Sequence, residues 1–184
     1  MNLDQRIDSL VNTLTALKKE SELLELVQKE ILSTFARGGK LVIAGNGGSA
    51  ADASHIAGEF VGRYQKKRRP LPAINISADI ATLTCIANDY DFTEVFSRQV
   101  QALCTEHDIF IAISTSGNSS NILHAVDLAT AKGAKVIALT GENGHSLIEK
   151  SDIALKVRSK VTSEIQSAYM CFMHLICEMI DENI

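Results

Sequence analysis

Apolar residues recur at three- and four-residue spacing along the first part of the chain: Leu10, Leu14 and Leu17, then Leu24, Val27, Ile31 and Phe35. That period predicts helix over about residues 3–36. Lys18-Lys19-Glu20-Ser21 interrupts the stripe, so one bent helix and two helices both satisfy it. So long an apolar face ahead of any strand serves either the core or a subunit interface. Gly38-Gly39 ends the helical part. Beyond it the pattern changes. Short apolar, β-branched runs at 41–44, 73–77, 109–113, 136–139 and 153–157 alternate with helical stretches at about 50–62, 80–87, 92–103, 121–132 and 162–181. Such alternation predicts an α/β fold, with a parallel sheet covered by helices on both faces. No linker, repeat or low-complexity tract interrupts it, so residues 1–184 read as one domain with a helical extension over 1–37.

The chain is organised around Leu41-Val42-Ile43-Ala44-Gly45-Asn46-Gly47-Gly48-Ser49-Ala50. A buried strand runs into glycines that let backbone approach a ligand, and then into a helix whose first N–H groups and dipole favour an anion. Ser49 is expected as N-cap, with Asp52 three residues on completing a capping box. A second loop echoes the first: the run 109–113 leads into Ser114-Thr115-Ser116-Gly117-Asn118-Ser119-Ser120 and another helix. Its hydroxyls can wrap the oxygens of a phosphate monoester. Either loop alone is satisfied by a turn with a good N-cap. Two of them at carboxyl ends of strands point to a phosphate-sugar site.

Gly45-x-Gly47-x-x-Ala50 also meets the dinucleotide fingerprint. The acid that should hold a ribose about 20 residues later is missing, however; the nearest at a strand end is Asp79, further along. No Walker lysine is present, which excludes a P-loop ATPase.

Composition narrows the classes. With 184 residues, 46% hydrophobic and 22% charged, the chain can bury a full core. A net charge of −4 argues against nucleic acid and anionic membrane as partners. No apolar leader or membrane-length run is present, and Cys85, Cys104, Cys171 and Cys177 form no CxxC pair. They read as reduced core residues of a cytoplasmic protein.

Among titratable residues, His55 and Glu59 stand four apart and so share a helix face, and Gln166 and His174 lie on roughly one side of the last helix. His107, His124 and His145 read as surface. Lys66-Lys67-Arg68-Arg69 reads as a solvated loop, with Arg63 the better anion contact, and Asn88-Asp89-Tyr90-Asp91 as a loop between helices.

Gly45-Asn46-Gly47-Gly48-Ser49, His55-x-x-x-Glu59, Gly62-Arg63-Tyr64, Asn88-Asp89, Ser114 to Ser119, Ile165-Gln166 and His174 together resemble the sugar isomerase (SIS) family and, within it, the bacterial phosphoheptose isomerases. The resemblance spans nearly the whole chain. It implies a five-stranded parallel sheet and a homotetramer with active sites between subunits. The implied reaction takes sedoheptulose 7-phosphate to D-glycero-D-manno-heptose 7-phosphate through a cis-enediolate, toward heptose for lipopolysaccharide or capsule. By position, Ser49, Ser114, Thr115, Ser116 and Ser119 would hold the phosphate. Asn46, Gly47, Arg63, Asp89 and Gln166 would contact the sugar. Glu59 would be the base and His174 its acid partner. Zinc would be held by residues matching His55, Glu59, Gln166 and His174, with no organic cofactor. Ser163-Glu164 departs from the acid–arginine pair common in relatives, which leaves substrate contacts there open. The alternative is a non-catalytic SIS module that binds a sugar phosphate or a replication-initiator protein. The presence of Glu59 and His174 counts against it.

Overall fold

The computed structural model describes residues 2–184. Helices α1 (Leu3–Ala16) and α2 (Ser21–Ala36) open the chain, separated by a 3-10 turn at Leu17–Lys19. The break falls where the apolar stripe lapses, so of the two alternatives it is the two-helix one that forms. Gly38, at φ +79°, ends α2 in the left-handed conformation, and the N–H groups of Gly38 and Gly39 return to the carbonyls of Phe35 and Thr34.

Five strands follow: β1 (Leu41–Gly45), β2 (Ala73–Asn75), β3 (Ile109–Ser114), β4 (Lys135–Thr140) and β5 (Ile153–Lys156). All pair in parallel, in the order β2-β1-β3-β4-β5. Between them run α3 (Gly48–Val61), α4 (Ile80–Asp89), α5 (Ser97–Leu103), α6 (Ser120–Ala131) and α7 (His145–Glu149), and α8 (Thr162–Asn183) closes the chain.

Strand residues divide between the two faces with period two. Leu41, Ile43, Ile109, Ile111, Ile137 and Leu139 pack against α2, α3 and α8 through Ile31, Phe60, Tyr169 and Phe172. Val42, Ala44, Phe110, Ala112, Val136 and Ala138 pack against α5 and α6 through Val100, Ile122 and Val126. Burying each large aliphatic side chain contributes roughly 1.5–3 kcal/mol. This two-faced burial is why the strands read as unbroken apolar runs.

Sheet order decides where a ligand can sit. β1 pairs with β3 from Leu41↔Ile109 to Gly45↔Ile113, so the loops that leave the two strands start side by side. From this pair the chain winds outward in opposite directions, to β2 on one side and to β4 and β5 on the other, and the crevice at such a switch point is the ligand site of open α/β sheets. At the opposite end of the sheet, Lys40 Nζ lies 2.7 Å from Asp108, whose carboxylate also accepts the N–H groups of Lys40 and Thr105. Burial pushes the Asp108 carboxyl up, but these donors outweigh it and hold it below the usual range. The ion pair locks the entries of the two strands together at that end.

Several expectations are corrected. The single helix over 92–103 is a 3-10 turn at Phe92–Glu94 followed by α5, because the Asp91 side chain caps the N–H of Thr93 and starts a separate turn. Asn88 and Asp89 are not loop but the last residues of α4. The short helix α7 carried too little periodicity to be seen. Cys85 is exposed on the outer face of α4 rather than in the core, whereas Cys104 and Cys177 are buried, and burial pushes their thiols up to about 11 and about 12. Arg68 leaves the solvated run: its side chain is 4% exposed, and its guanidinium lies 2.6 Å from Asp181 and donates to the carbonyls of Glu59 and Phe60. His107, His124 and His145 are exposed, as their contexts predict. Among the described residues no helix is long and apolar enough to cross a membrane.

Candidate active site

The first loop turns at Gly47, whose φ of +55° is a conformation that L side chains rarely adopt. Gly47 itself is the N-cap, so α3 begins at Gly48 and Ser49 lies inside its first turn. Ser49 is therefore not the cap. Its hydroxyl is buried and sits 3.1 Å from Tyr169 Oη. Asp52 makes no capping box either; it accepts from Tyr169 Oη at 2.6 Å and from Gln166 Nε2 at 2.9 Å. Burial, reinforced by Asp52, pushes the Tyr169 phenol well above its ordinary value, so it stays protonated and donates.

In the second loop Ser114 Oγ is 3.1 Å from Ser119 Oγ and 3.4 Å from Ser116 Oγ, and it accepts the N–H of Gly117. Gly117 takes φ +65° close against Gly144, which folds the loop back over its own hydroxyls. Thr140 Oγ1 donates to the Ser114 carbonyl and anchors the loop to β4. The two loops are tied by a reciprocal amide pair, Asn46 Nδ2 to Asn121 Oδ1 and Asn121 Nδ2 to Asn46 Oδ1, each 2.9 Å. Serine hydroxyls and helix N-termini at the switch point thus form one cradle.

Helices α3 and α8 run side by side in the same direction from this cradle. At about 100° per residue, Gly48, Asp52, His55 and Glu59 share one face of α3, and Gln166, Met170 and His174 share one face of α8. Between their first turns lies a cleft of about 490 Å³ lined by Gly48, Ala51, Asp52, Gln166 and Met170. Further along, His55 Nε2 stands 3.1 Å from Glu59 Oε1 and 3.4 Å from His174 Nε2, and the Tyr64 ring stacks on His174. One ligand atom from each of His55, Glu59 and His174 lies within 4.8 Å of the others. Two imidazoles and a carboxylate are a donor set suited to a catalytic zinc ion that keeps an open position.

A SIS domain model matches residues 6–141. The chain belongs to the SIS domain family. It is 46% identical to the phosphoheptose isomerase of Thermodesulfovibrio yellowstonii over 90% of this chain and 82% of that one. It is 42% identical to that of Aneurinibacillus thermoaerophilus over 99% and 93%. The solved phosphoheptose isomerase of Neisseria gonorrhoeae superposes with a TM-score of 0.90 at 35% identity, covering 98% of this chain and all of that one.

Within this SIS chain the expected residues divide into two groups. Asn46, Gly47, Ser49, Ser114, Thr115, Ser116 and Ser119 gather at the cradle, and His55, Glu59 and His174 at the far end of the groove. Gln166 stays near the cradle, two helical turns before His174, with its amide nitrogen on Asp52. Arg63 is exposed just past α3, its guanidinium 3.4 Å from the Gln65 carbonyl. Asp89 is exposed at the end of α4, accepting from Asn88 and from the Cys85 thiol. Glu164 faces away from the groove: it is buried against Ser159 and Thr13, and hydrogen bonds, Ser159 first, hold its carboxyl below the usual range. It docks α1 onto α8. Sequence reasoning missed Tyr169 and Asn121. Tyr169 follows Gln166 by three residues, and Asn121 opens the helix after the serine loop, so each sat in a legible place without a motif to mark it.

Proposed function

We propose that this protein is a phosphoheptose isomerase, converting sedoheptulose 7-phosphate to D-glycero-D-manno-heptose 7-phosphate. The observation that carries the reading is the approach of Glu59 and His174 at one end of a groove that starts at the serine-glycine cradle. From Ser49 to His55 the helix rises about 9 Å, and an extended seven-carbon phosphate spans on the order of 10 Å. A phosphate in the cradle therefore leaves C1 and C2 near the acid–base pair. The 42–46% identity to phosphoheptose isomerases supports the same substrate.

The α3 N-terminus at Ser49 and the hydroxyls of Ser114, Thr115, Ser116 and Ser119 hold the phosphate, which is remote from the reacting carbons. Binding energy there orients the ketose and serves the reacting end. Asn46, Gly47, Gln166, Arg63 and Asp89 contact the sugar chain. Glu59 removes the C1 proton, which gives the cis-enediolate, and His174 gives a proton to its C2 oxygen. The carbon proton then returns to C2 as the C1 oxygen loses its own, which completes the aldose. Each acid–base group contributes roughly 10²–10⁴-fold. His55, Glu59 and His174 would hold zinc, joined by Gln166 through its amide oxygen; when bound, the ion would polarise oxygens of the substrate as a Lewis acid. The exposed apolar residues Leu3, Ile7 and Val11 on α1 support a role for residues 1–37 in a homotetramer. A cytoplasmic enzyme supplying heptose for surface polysaccharide fits this reading.

The test is proton NMR of the protein with sedoheptulose 7-phosphate in D₂O, with and without a chelator. The expected product is an aldose 7-phosphate carrying deuterium at C2. No aldose and no exchange in either arm would overturn the reading.

A further inference from the structure

The segment between α3 and β2 carries a tyrosine that no step of the proposed reaction uses. Tyr64 is half-buried against the core, and its ring stacks on the His174 imidazole with centroids 5.6 Å apart and planes 19° apart. We propose that Tyr64 is a positioning residue for the acid: held in place by Asp181, its ring fixes the orientation of the His174 imidazole. The inference rests on the proposed isomerase reading.

The χ2 torsion of a histidine is broad, so a half-buried imidazole on a helix turns unless its neighbours stop it. His55 meets His174 at the tip, Nε2 to Nε2 at 3.4 Å, with the two planes at 64°. Tyr64 covers a face instead. A stacked ring restricts rotation without taking a hydrogen bond from either imidazole nitrogen, so neither is withdrawn from proton transfer. A carboxylate in that place would occupy one of them.

The ring can do this only if the segment that carries it is fixed, and residues 62–68 form no helix or strand. Asp181 fixes them. Its Oδ2 accepts the N–H groups of Gln65 and Lys66, each at 2.8 Å, and its Oδ1 takes Arg68 Nε at 2.6 Å. Arg68 in turn donates to the carbonyls of Glu59 and Phe60 at the end of α3. Both members of the pair are buried. Apolar groups of the same volume could stabilise the fold as well as a buried ion pair does, but they could not hold backbone N–H groups in register. Asp181 follows His174 by seven residues, two turns along the same face of α8, so one helix sets the distance from clamp to acid. The segment thus ties the helix that bears the base to the helix that bears the acid, and Tyr64 is where it touches the acid.

The experiment compares Tyr64→Phe, Tyr64→Leu, Asp181→Asn and the Tyr64→Leu/Asp181→Asn double variant with wild type in steady-state kinetics on sedoheptulose 7-phosphate, each with a melting curve. Proton–nitrogen correlation spectra of the histidine rings in metal-free protein accompany them, with the His174 signals assigned through His174→Asn. Tyr64→Leu keeps an apolar side chain without the flat face. It should lower kcat roughly 10–10²-fold with KM within about twofold, and the His174 ring protons should move downfield as the ring current is lost. Tyr64→Phe should keep kcat within about threefold and leave those protons in place. Asp181→Asn should lower kcat in the wild-type background but by less than about twofold in the Tyr64→Leu background, since it acts through the same ring. A lower melting temperature with kcat unchanged in Tyr64→Leu would make the contact merely structural and overturn the proposal. So would a Phe variant as slow as Leu, a loss carried in KM alone, or an undiminished effect of Asp181→Asn in the double variant. A wild-type protein without turnover defeats the isomerase reading, while the ring spectra still judge whether Tyr64 fixes His174.

Discussion

The two ends of the α3–α8 groove are built differently. At the cradle end the polar groups are partnered with one another over a buried base: Ser49 is 6% exposed and Asn121 2%, Asn46, Thr115 and Ser119 are half-buried, and only Ser116 stands exposed at the rim. At the other end the side chain of His55 is 50% exposed and that of Glu59 22%; His55 meets Glu59 and His174, and Tyr64 stacks on His174. The contrast follows from the tasks. A dianionic phosphate is bound best by dipoles that need no reorganisation. A base and an acid must reach a moving proton and are kept accessible until substrate covers them.

Substitutions can break this comparison, and the largest effect belongs at the open end. Glu59→Gln should lower kcat by about 10³-fold with the melting temperature little changed, as an NMR assay with a parallel thermal scan would register. Near-normal turnover in that variant would remove the proposed base. His174→Asn should cost about 10²-fold in kcat.

The open end is supported from behind. Arg68 bonds the carbonyls of Glu59 and Phe60 and pairs with Asp181, whose side chain is 2% exposed. Arg68→Met strands that carboxylate and should destabilise the fold by about 3 kcal/mol, readable in urea. Burial pushes the Asp181 carboxyl up, but the Lys66 N–H, the Arg68 guanidinium and the Gln65 N–H together hold it below the usual range. A depressed carboxyl stabilises the fold above its unfolded pKa, and that stability is lost as pH falls from the ordinary carboxylate range through the lowered folded pKa. In the variant the unpaired carboxylate takes up its proton more readily. The difference in melting temperature between wild type and Arg68→Met should therefore narrow from pH 7 toward pH 3; a constant gap would show that Asp181 is not the group responsible.

Smaller effects belong to the cradle. Ser116→Ala and Ser119→Ala each remove one hydroxyl from a charged ligand and should raise KM roughly tenfold with kcat less affected. Smallest is metal occupancy: a Co²⁺ titration should develop a visible d–d absorption that His55→Ala abolishes, and an identical spectrum in that variant would place the ion elsewhere.

Much of this was legible in the chain. The β1 loop, the serine loop and the His55–Glu59 spacing stand out because a strand leading into glycine or serine and then a helix is a local pattern, and i, i+4 neighbours share a face whatever the rest of the fold does. The capping reading of Ser49 and Asp52 failed for an equally physical reason. Both have the right residue types for a cap, but Gly47 takes the turn with a positive φ, and α8 offers Tyr169 and Gln166 as stronger partners. Arg68 in its basic run failed likewise, since nothing local announces an aspartate 113 residues away.

The sequence by itself determined the alternation of strand and helix, the two loops and the residue types able to carry the chemistry, because backbone propensity and hydrophobic period are set by near neighbours. Only the tertiary structure decided that β1 and β3 are adjacent, that α3 and α8 run alongside each other, and that His174 meets Glu59 while Gln166 meets Asp52. Those contacts join residues more than a hundred positions apart, and they exist because both helices bury their apolar faces on the same side of one sheet.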